Sequence, residues 1–108
     1  MIRRLPVVYR LVAIEDLENI YLFILEVSGS SKVASGFVER IMARCRRIGN
    51  VPSGGRPRDD LAPGLRVVPF ERAAVIAYAM QGDRVEITNV FYGGRDYEAL
   101  LRGKPGAA

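Results

Sequence analysis

The sequence predicts an α+β fold, a single domain over residues 1–108 with the element order β-α-α-β-β-β. Two segments in the first half carry apolar residues at helical spacing, and three runs in the second half are rich in β-branched and aromatic residues. Between them, residues 52–66 contain three prolines and three glycines, which neither a helix nor a central strand accommodates. The predicted architecture is an antiparallel helical hairpin packed on one face of a small, mostly antiparallel sheet, with a short C-terminal helix or turn.

The first half is predicted to hold one strand and the two helices. The strand covers residues 7–12 and is placed at a sheet edge. Acidic side chains then mark the first turn of a helix over about residues 13–28. A second helix is predicted over about residues 31–48, with Ser30 or Ser31 as its cap. Because the turn between the two helices is short, they are expected to lie antiparallel.

The second half is predicted to hold three strands, at residues 65–70, 73–80 and 84–92. The middle one is apolar on both faces and is therefore expected at the centre of the sheet. In the last strand the alternation slips at Asn89-Val90, which predicts a bulge or a register change. A short helix or turn follows, so the ordered part is expected to span about residues 7–102, with a frayed tail at 103–108. The sheet face away from the helices is expected to remain partly open.

The composition excludes several classes of chemistry. The chain has no histidine, which removes histidine-based acid–base catalysis and histidine metal ligation, and we expect no metal and no cofactor. The single cysteine, Cys45, lies in the apolar stripe of the second helix and is expected to be buried and inert. The sequence shows no apolar run long enough to span a membrane and no signal peptide. A cytoplasmic protein without a membrane partner is the resulting expectation.

The excess positive charge is concentrated in one part of the chain. Residues 40–58 carry six arginines and no acidic residue, whereas the net charge of the whole chain is +4. Arginines near a helix C-terminus complement the helix dipole, but Arg56 and Arg58 lie beyond it. Together with Arg66 they are interpreted as a rim that binds an anion or an acidic partner. The alternative is an ordinary solvated loop.

Several spaced motifs, taken together, resemble a known family. They are Ala13-x-x-Asp16-Leu17-x-x-Ile20, Ala34-x-x-Phe37-Val38, the loop Pro52-x-x-Gly55-Arg56-x-Arg58-Asp59-Asp60-Leu61-x-Pro63-Gly64-Leu65-Arg66, Ile76-x-Tyr78, and Gly93-Gly94-Arg95-Asp96. Over about residues 7–102 the chain resembles the ParE branch of the RelE/ParE superfamily of toxins from bacterial type II toxin–antitoxin pairs. It departs from the pattern at Tyr92, where many relatives carry a histidine.

The resemblance implies a toxin that inhibits DNA gyrase and is neutralised by a ParD-like antitoxin with an acidic, partly disordered tail, in a hetero-oligomer. The alternative is a RelE-like, ribosome-dependent mRNA endonuclease, which shares the fold. RNA cleavage needs one group to accept a proton and one to donate it. Without histidine, and with tyrosine hydroxyls that ordinarily have a pKa of ~10, the sequence favours a non-catalytic toxin with no catalytic residues. A target other than these two is a further alternative.

The resemblance also selects candidate site residues. Arg66, Tyr92 and Arg95 join Arg56 and Arg58 as residues expected to bind the antitoxin or gyrase. The alternative for Arg95 is an ion pair with Asp59 or Asp60 that anchors the loop to the sheet. A plain nucleic-acid-binding module is less favoured, because residues 40–58 contain no aromatic side chain for base stacking.

Overall fold

The computed structural model of the protein describes residues 4–102, and its elements follow the predicted order with one short extra strand. They are β1 (Val7–Tyr9), α1 (Leu11–Ser28), α2 (Ser31–Ile48), β2 (Arg56–Pro57), β3 (Arg66–Phe70), β4 (Ala74–Gln81), β5 (Arg84–Tyr92) and α3 (Tyr97–Arg102). The tail expected to be frayed lies outside the described residues. Within the described range, no helix combines the length and the apolar character that a membrane span requires.

The five strands form one sheet in the order β1-β5-β4-β3-β2. The apolar strand β4 is central, as predicted, and β1 lies at an edge, where it pairs parallel to β5. The remaining neighbours are antiparallel. Pro69 is accommodated in β3 because β2 pairs only with Arg66 and Val67, so no strand needs a hydrogen bond from the proline position on that side. The mostly antiparallel sheet of the prediction is therefore confirmed.

Strand β5 contains a bulge that switches which face its side chains occupy. Ala77 lies opposite Asn89 while Tyr78 lies opposite Ile87, so Thr88 is the extra residue. Before the bulge, Ile87 points into the core beneath the helices, and after it Val90 does so. The irregularity predicted at Asn89-Val90 is therefore present, beginning one residue earlier.

The two helices form the predicted hairpin, although α1 begins two residues before the predicted start. Strand β1 pairs with three residues of β5 and ends at Tyr9, and Arg10 then occupies the N-cap position of α1 in an extended conformation. Helix α2 has the predicted bounds, and the Ser30 hydroxyl accepts a hydrogen bond from the amide of Val33 (3.2 Å). Cys45 is fully buried in its apolar stripe, as expected.

Apolar side chains are buried on both faces of the sheet. The larger core lies between the helical hairpin and one face. On the other face Val67, Ala77 and Phe91 form a smaller cluster, against which Tyr97 and Leu101 of α3 pack. The expectation that this face remains open is therefore wrong in part. Helix α3 folds back across it because its own apolar residues need a surface on which to be buried.

Candidate functional site

The charged loop before β3 is fixed by an ion cluster centred on Arg58. The Arg58 side chain is only 8% exposed. Its Nε and Nη2 atoms donate to Asp60 Oδ1 (3.0 Å) and Oδ2 (2.8 Å), and Nη1 donates to the Tyr97 hydroxyl (2.9 Å). The same guanidinium pairs with Glu98, while Arg102 reaches Asp60 (3.2 Å). The cluster therefore ties the loop to α3.

This arrangement makes Arg58 an internal anchor in the structure. Hydrogen bonds from Arg58 hold the pKa of Asp60 at about 2, below its ordinary value of 3.8. The hydrogen bonds to Asp60 and Glu98 in turn raise the pKa of Arg58. Because the guanidinium is buried and paired with two carboxylates, it does not form part of an exposed binding rim. Asp60, predicted as a loop-anchoring residue, pairs here with Arg58 and Arg102, and its anchoring role stays a prediction.

Arg66 also points inward. Its Nη1 atom donates to the carbonyl oxygens of Ser53 (3.0 Å) and Gly55 (2.7 Å), which otherwise lack strand partners at the start of the loop. The Tyr78 hydroxyl completes the support by donating to the Pro52 carbonyl (2.8 Å). Arg66 therefore shapes the loop in this structure, and any contact that it makes with a partner remains a prediction.

The remaining loop residues separate into two kinds. Arg56 is exposed on β2 and has no ion pair among the described residues, so it alone of the three predicted rim arginines is available in this structure. Asp59 makes no ion pair within residues 4–102, and its Oδ1 atom accepts from the Gly64 amide (2.9 Å). The suggested pairing of Arg95 with Asp59 or Asp60 is therefore not formed, because Arg58 and Arg102 already occupy Asp60.

Tyr92 and Arg95 line a cleft between α1 and the end of β5. Gly93 and Gly94 both have positive φ values, 77° and 74°, which let the chain turn sharply after β5 and place the exposed Arg95 at the mouth. The cleft has a volume of about 310 Å³, and its lining comprises Asp16, Asn19, Ile20, Phe23, Tyr92, Gly93 and Arg95. This is where the structure brings predicted site residues together.

The aromatic wall of the cleft is packed from both helices. The Tyr92 ring meets Phe23 of α1 edge-on at 5.7 Å between centroids, and Phe37 of α2 at 5.4 Å. Such edge-to-face contacts fix a ring as well as burying it. Tyr92 is therefore a structural wall of the cleft as well as a candidate contact residue.

Asp16 closes the inner side of the cleft. Its Oδ2 atom accepts a hydrogen bond from the amide of Val90 (2.8 Å). Strand β1 pairs with β5 only as far as Ile87, so the Val90 amide on that edge has no strand partner and the carboxylate replaces one. Burial raises the pKa of Asp16, while the Val90 hydrogen bond and nearby Arg95 oppose that rise. Asp16 belongs to the spaced motif at the start of α1 but was not among the predicted site residues.

The cleft is chemically suited to binding. It presents one guanidinium, one carboxylate that is already hydrogen-bonded, and an aromatic wall. Within residues 4–102 no group of three or more acidic or cysteine side chains could hold a metal ion. Such a site can accept an anionic or amphipathic group from a partner.

A second recessed surface lies along the outer side of the helical hairpin. It is a groove of about 730 Å³ whose lining is mainly apolar: Tyr9, Ile14, Leu17, Glu18, Asn19, Tyr21, Leu22, Val38 and Met42. Leu22, at 58% exposed, rises from α1 at its border. The signal for this groove was present in the sequence, because α1 carries apolar residues on nearly all of its sides.

Comparison with known proteins assigns the chain to a family. A family model described as the ParE toxin of the type II toxin–antitoxin system parDE matches residues 7–97. The chain belongs to the ParE toxin family. It is 34% identical over 89 residues to Toxin ParE3 of Caulobacter vibrioides, an alignment that covers 82% of this chain and 87% of that relative. The protein is thus a ParE-family toxin of a ParDE toxin–antitoxin system.

A solved structure shares the fold of this ParE-family toxin. The structure, described as the chromosomal ParDE TA system from P. aeruginosa, matches with a TM-score of 0.73 at 21% identity. The match covers 83% of this chain and 97% of that chain. At this identity the likeness concerns the fold alone, and it confirms the α+β architecture with its two helices and mixed sheet.

Proposed function

We propose that this ParE-family toxin inhibits DNA gyrase by binding, without catalysing a reaction, and that a ParD-like antitoxin neutralises it. The observation that carries the first part is the chemistry of the cleft between α1 and β5. It offers Arg95 and an aromatic wall to a partner, and its one carboxylate, Asp16, is already engaged by the amide of Val90.

The cleft argues against the RelE-like alternative. Cleavage of RNA through the 2′-hydroxyl needs a proton acceptor and a proton donor that act together, with cations to stabilise the phosphorane. Asp16 supplies one such group at most, and its carboxylate is engaged by Val90. The guanidinium of arginine donates hydrogen bonds but does not lose a proton in proteins. Arg95 therefore suits phosphate binding and not acid catalysis.

The proposal is tested with purified toxin in a gyrase supercoiling and DNA-cleavage assay. We expect loss of supercoiling and accumulation of double-strand breaks. Arg95→Gln is the preferred variant, because Arg95 is exposed and anchors no loop within the described structure. An Arg66 variant would also remove the hydrogen bonds to the carbonyl oxygens of Ser53 and Gly55.

The expected effect of Arg95→Gln is a rise of about tenfold in the toxin concentration that halves gyrase activity, as expected for a lost charged hydrogen bond. Arg84→Gln, which removes an exposed arginine from the β4–β5 turn, is the matched control and should leave inhibition unchanged. Gyrase that is unaffected by the wild-type toxin, together with mRNA cut in a translating extract, would establish the nuclease instead.

The groove along the helical hairpin supports the antitoxin part of the proposal. An amphipathic segment that folds on binding needs apolar anchors to offset the entropy lost on ordering. The groove supplies them through Leu17, Val38 and Met42, with exposed Leu22 beside them. An acidic tail would be attracted by the net positive charge of the toxin. The hetero-oligomer and the cytoplasmic location belong to this proposal.

A further inference from the structure

Four arginines lie around the C-terminal end of α2. None of them lines the cleft or the groove. Helix α2 supplies Arg44, Arg46 and Arg47, and the segment before β1 supplies Arg4. Arg46 and Arg47 are exposed and Arg44 is half-buried. We call this set the arginine face. Three of its members belong to the six arginines that the sequence concentrates in residues 40–58, and Arg4 adds a fourth from outside that segment.

A backbone contact brings Arg4 to this face. The amide of Leu5 donates to the carbonyl oxygen of Gly49 at 2.9 Å, which holds the segment before β1 against the end of α2. A side chain at Gly49 would collide with the Leu5 carbonyl oxygen, so glycine permits this close approach. The position of Arg4 is therefore set by the fold.

Two recesses show that the four arginines form one continuous surface. Arg4, Arg46 and Arg47 line a recess of about 600 Å³ together with Asn50. Arg44 and Arg47 line a neighbouring recess of about 430 Å³. Arg47 is common to both, and neither recess shares a residue with the cleft or with the groove.

Within residues 4–102, no ion pair compensates the charge of this face. The described ion pairs use Arg10, Arg40, Arg58 and Arg102, and none involves the arginine face. None of the described residues that line either recess is acidic. The helix dipole accounts for Arg46 and Arg47 in the last turn of α2, but not for Arg4, which belongs to another segment, and less for Arg44, which lies just before the last turn.

We propose that the arginine face binds the phosphate backbone of duplex DNA. Guanidinium groups match phosphate oxygens, and backbone contacts require no base-stacking side chains. The only aromatic residue that lines the two recesses is Tyr78, whose side chain is buried and whose hydroxyl is already bonded to the loop. The expected binding is therefore independent of base sequence.

A folding acidic peptide fits this face less well than DNA does. Of the exposed large apolar side chains among residues 4–102, only Val51 lines either recess, whereas most of the others lie on α1. A peptide that orders on binding needs such anchors, and a phosphate backbone does not. The toxin would thus hold DNA and an antitoxin on different surfaces.

The test is fluorescence anisotropy of a short labelled DNA duplex titrated with the full-length toxin in the absence of gyrase. With four phosphate contacts, affinity should fall about 150-fold between about 50 mM and about 200 mM salt, compared with about 12-fold for two contacts. The variants Arg44→Gln/Arg47→Gln and Arg4→Gln/Arg46→Gln should each show the smaller salt dependence. The double variant Arg72→Gln/Arg84→Gln removes the same charge elsewhere and should keep the larger one.

Three results would overturn the proposal. One is the absence of duplex binding at low salt. Another is an equal loss of affinity in the control double variant, which would indicate an effect of net charge alone. The third is displacement of DNA by a polyglutamate peptide at a lower concentration than by unlabelled duplex, which would identify an acidic protein segment as the occupant. Since the assay contains no gyrase, its outcome is separate from that of the supercoiling assay.

Discussion

The hydroxyl of Tyr78 accepts a 2.9 Å hydrogen bond from the backbone amide of Gly55, a residue 23 positions earlier in the chain. The hydroxyl also donates to Pro52, so one buried side chain from the central strand satisfies two backbone groups of the loop. Tyr78→Phe should lower the free energy of unfolding by about 1–3 kcal/mol, because the buried Gly55 amide loses its partner. Urea unfolding of the toxin alone measures this.

Tyr21→Phe is the matched control for that substitution. Tyr21 is half-buried on α1, and its hydroxyl has no hydrogen bond to the protein within residues 4–102. Its loss should change the unfolding free energy by less than about 0.5 kcal/mol. Equal effects of the two substitutions would show that the loop does not depend on the Tyr78 hydroxyl.

The ion cluster around Arg58 predicts a specific dependence of stability on pH. The pKa of Asp60 is about 2 in the folded protein and 3.8 ordinarily, so the carboxylate stabilises the fold above about pH 4. That contribution is lost as the pH falls through the folded pKa. The difference in unfolding free energy between the wild type and Asp60→Asn should therefore shrink from about pH 4 to about pH 2. A difference that stays constant over this range would contradict the assignment.

Burial of Cys45 predicts an unreactive thiol. The side chain is 0% exposed, and burial raises the pKa of the thiol to about 11. A chromogenic disulfide reagent at mildly alkaline pH should therefore label the folded protein only as fast as it unfolds, because the thiolate is the attacking species. Protein in denaturant is the positive control. Rapid labelling of the folded chain would show that the helical hairpin opens readily.

The apolar groove predicts a position at which one charge strongly weakens antitoxin binding. Leu22→Asp places a carboxylate at the border of the groove, and its desolvation on docking should weaken antitoxin binding by about 100-fold or more. Leu100→Asp is the control, since Leu100 is similarly exposed but lies on α3. Calorimetric titration with the antitoxin measures both, and equal affinities of the wild type and Leu22→Asp would place the antitoxin elsewhere.

Local pattern was sufficient to predict most elements of the fold. The stripe around Phe37 and Ile41 gave α2 its bounds, and the alternation in β5 located the bulge within one residue. Both features depend on the spacing of residues that are close together in the chain, and that spacing can be read from the sequence. The start of α1 was misplaced because the local pattern does not show where the pairing of β1 with β5 ends, which depends on residues far apart in the chain.

The candidate site was predicted less completely, because it also depends on contacts between distant parts of the chain. A charged side chain such as Arg58 gives no local sign of burial, which arises only when Tyr97 and Glu98 are folded onto it from the end of the chain. Asp16 joins the cleft because β1 leaves the amide of Val90 unpaired. Arg95 was found through the terminal motif and Tyr92 as a departure from the family pattern just before it, and neither signal specifies the partner that these residues meet.

The parallel pairing of β1 with β5 determines when the toxin can fold during its synthesis. Val7 pairs with Val85, a residue that is synthesised 78 positions later. At about 5–20 residues per second, the first strand waits roughly 4–15 s for the strand that it pairs with. Tyr92 and Arg95 appear later still. A chain that ends before β5 therefore has neither the complete sheet nor the cleft.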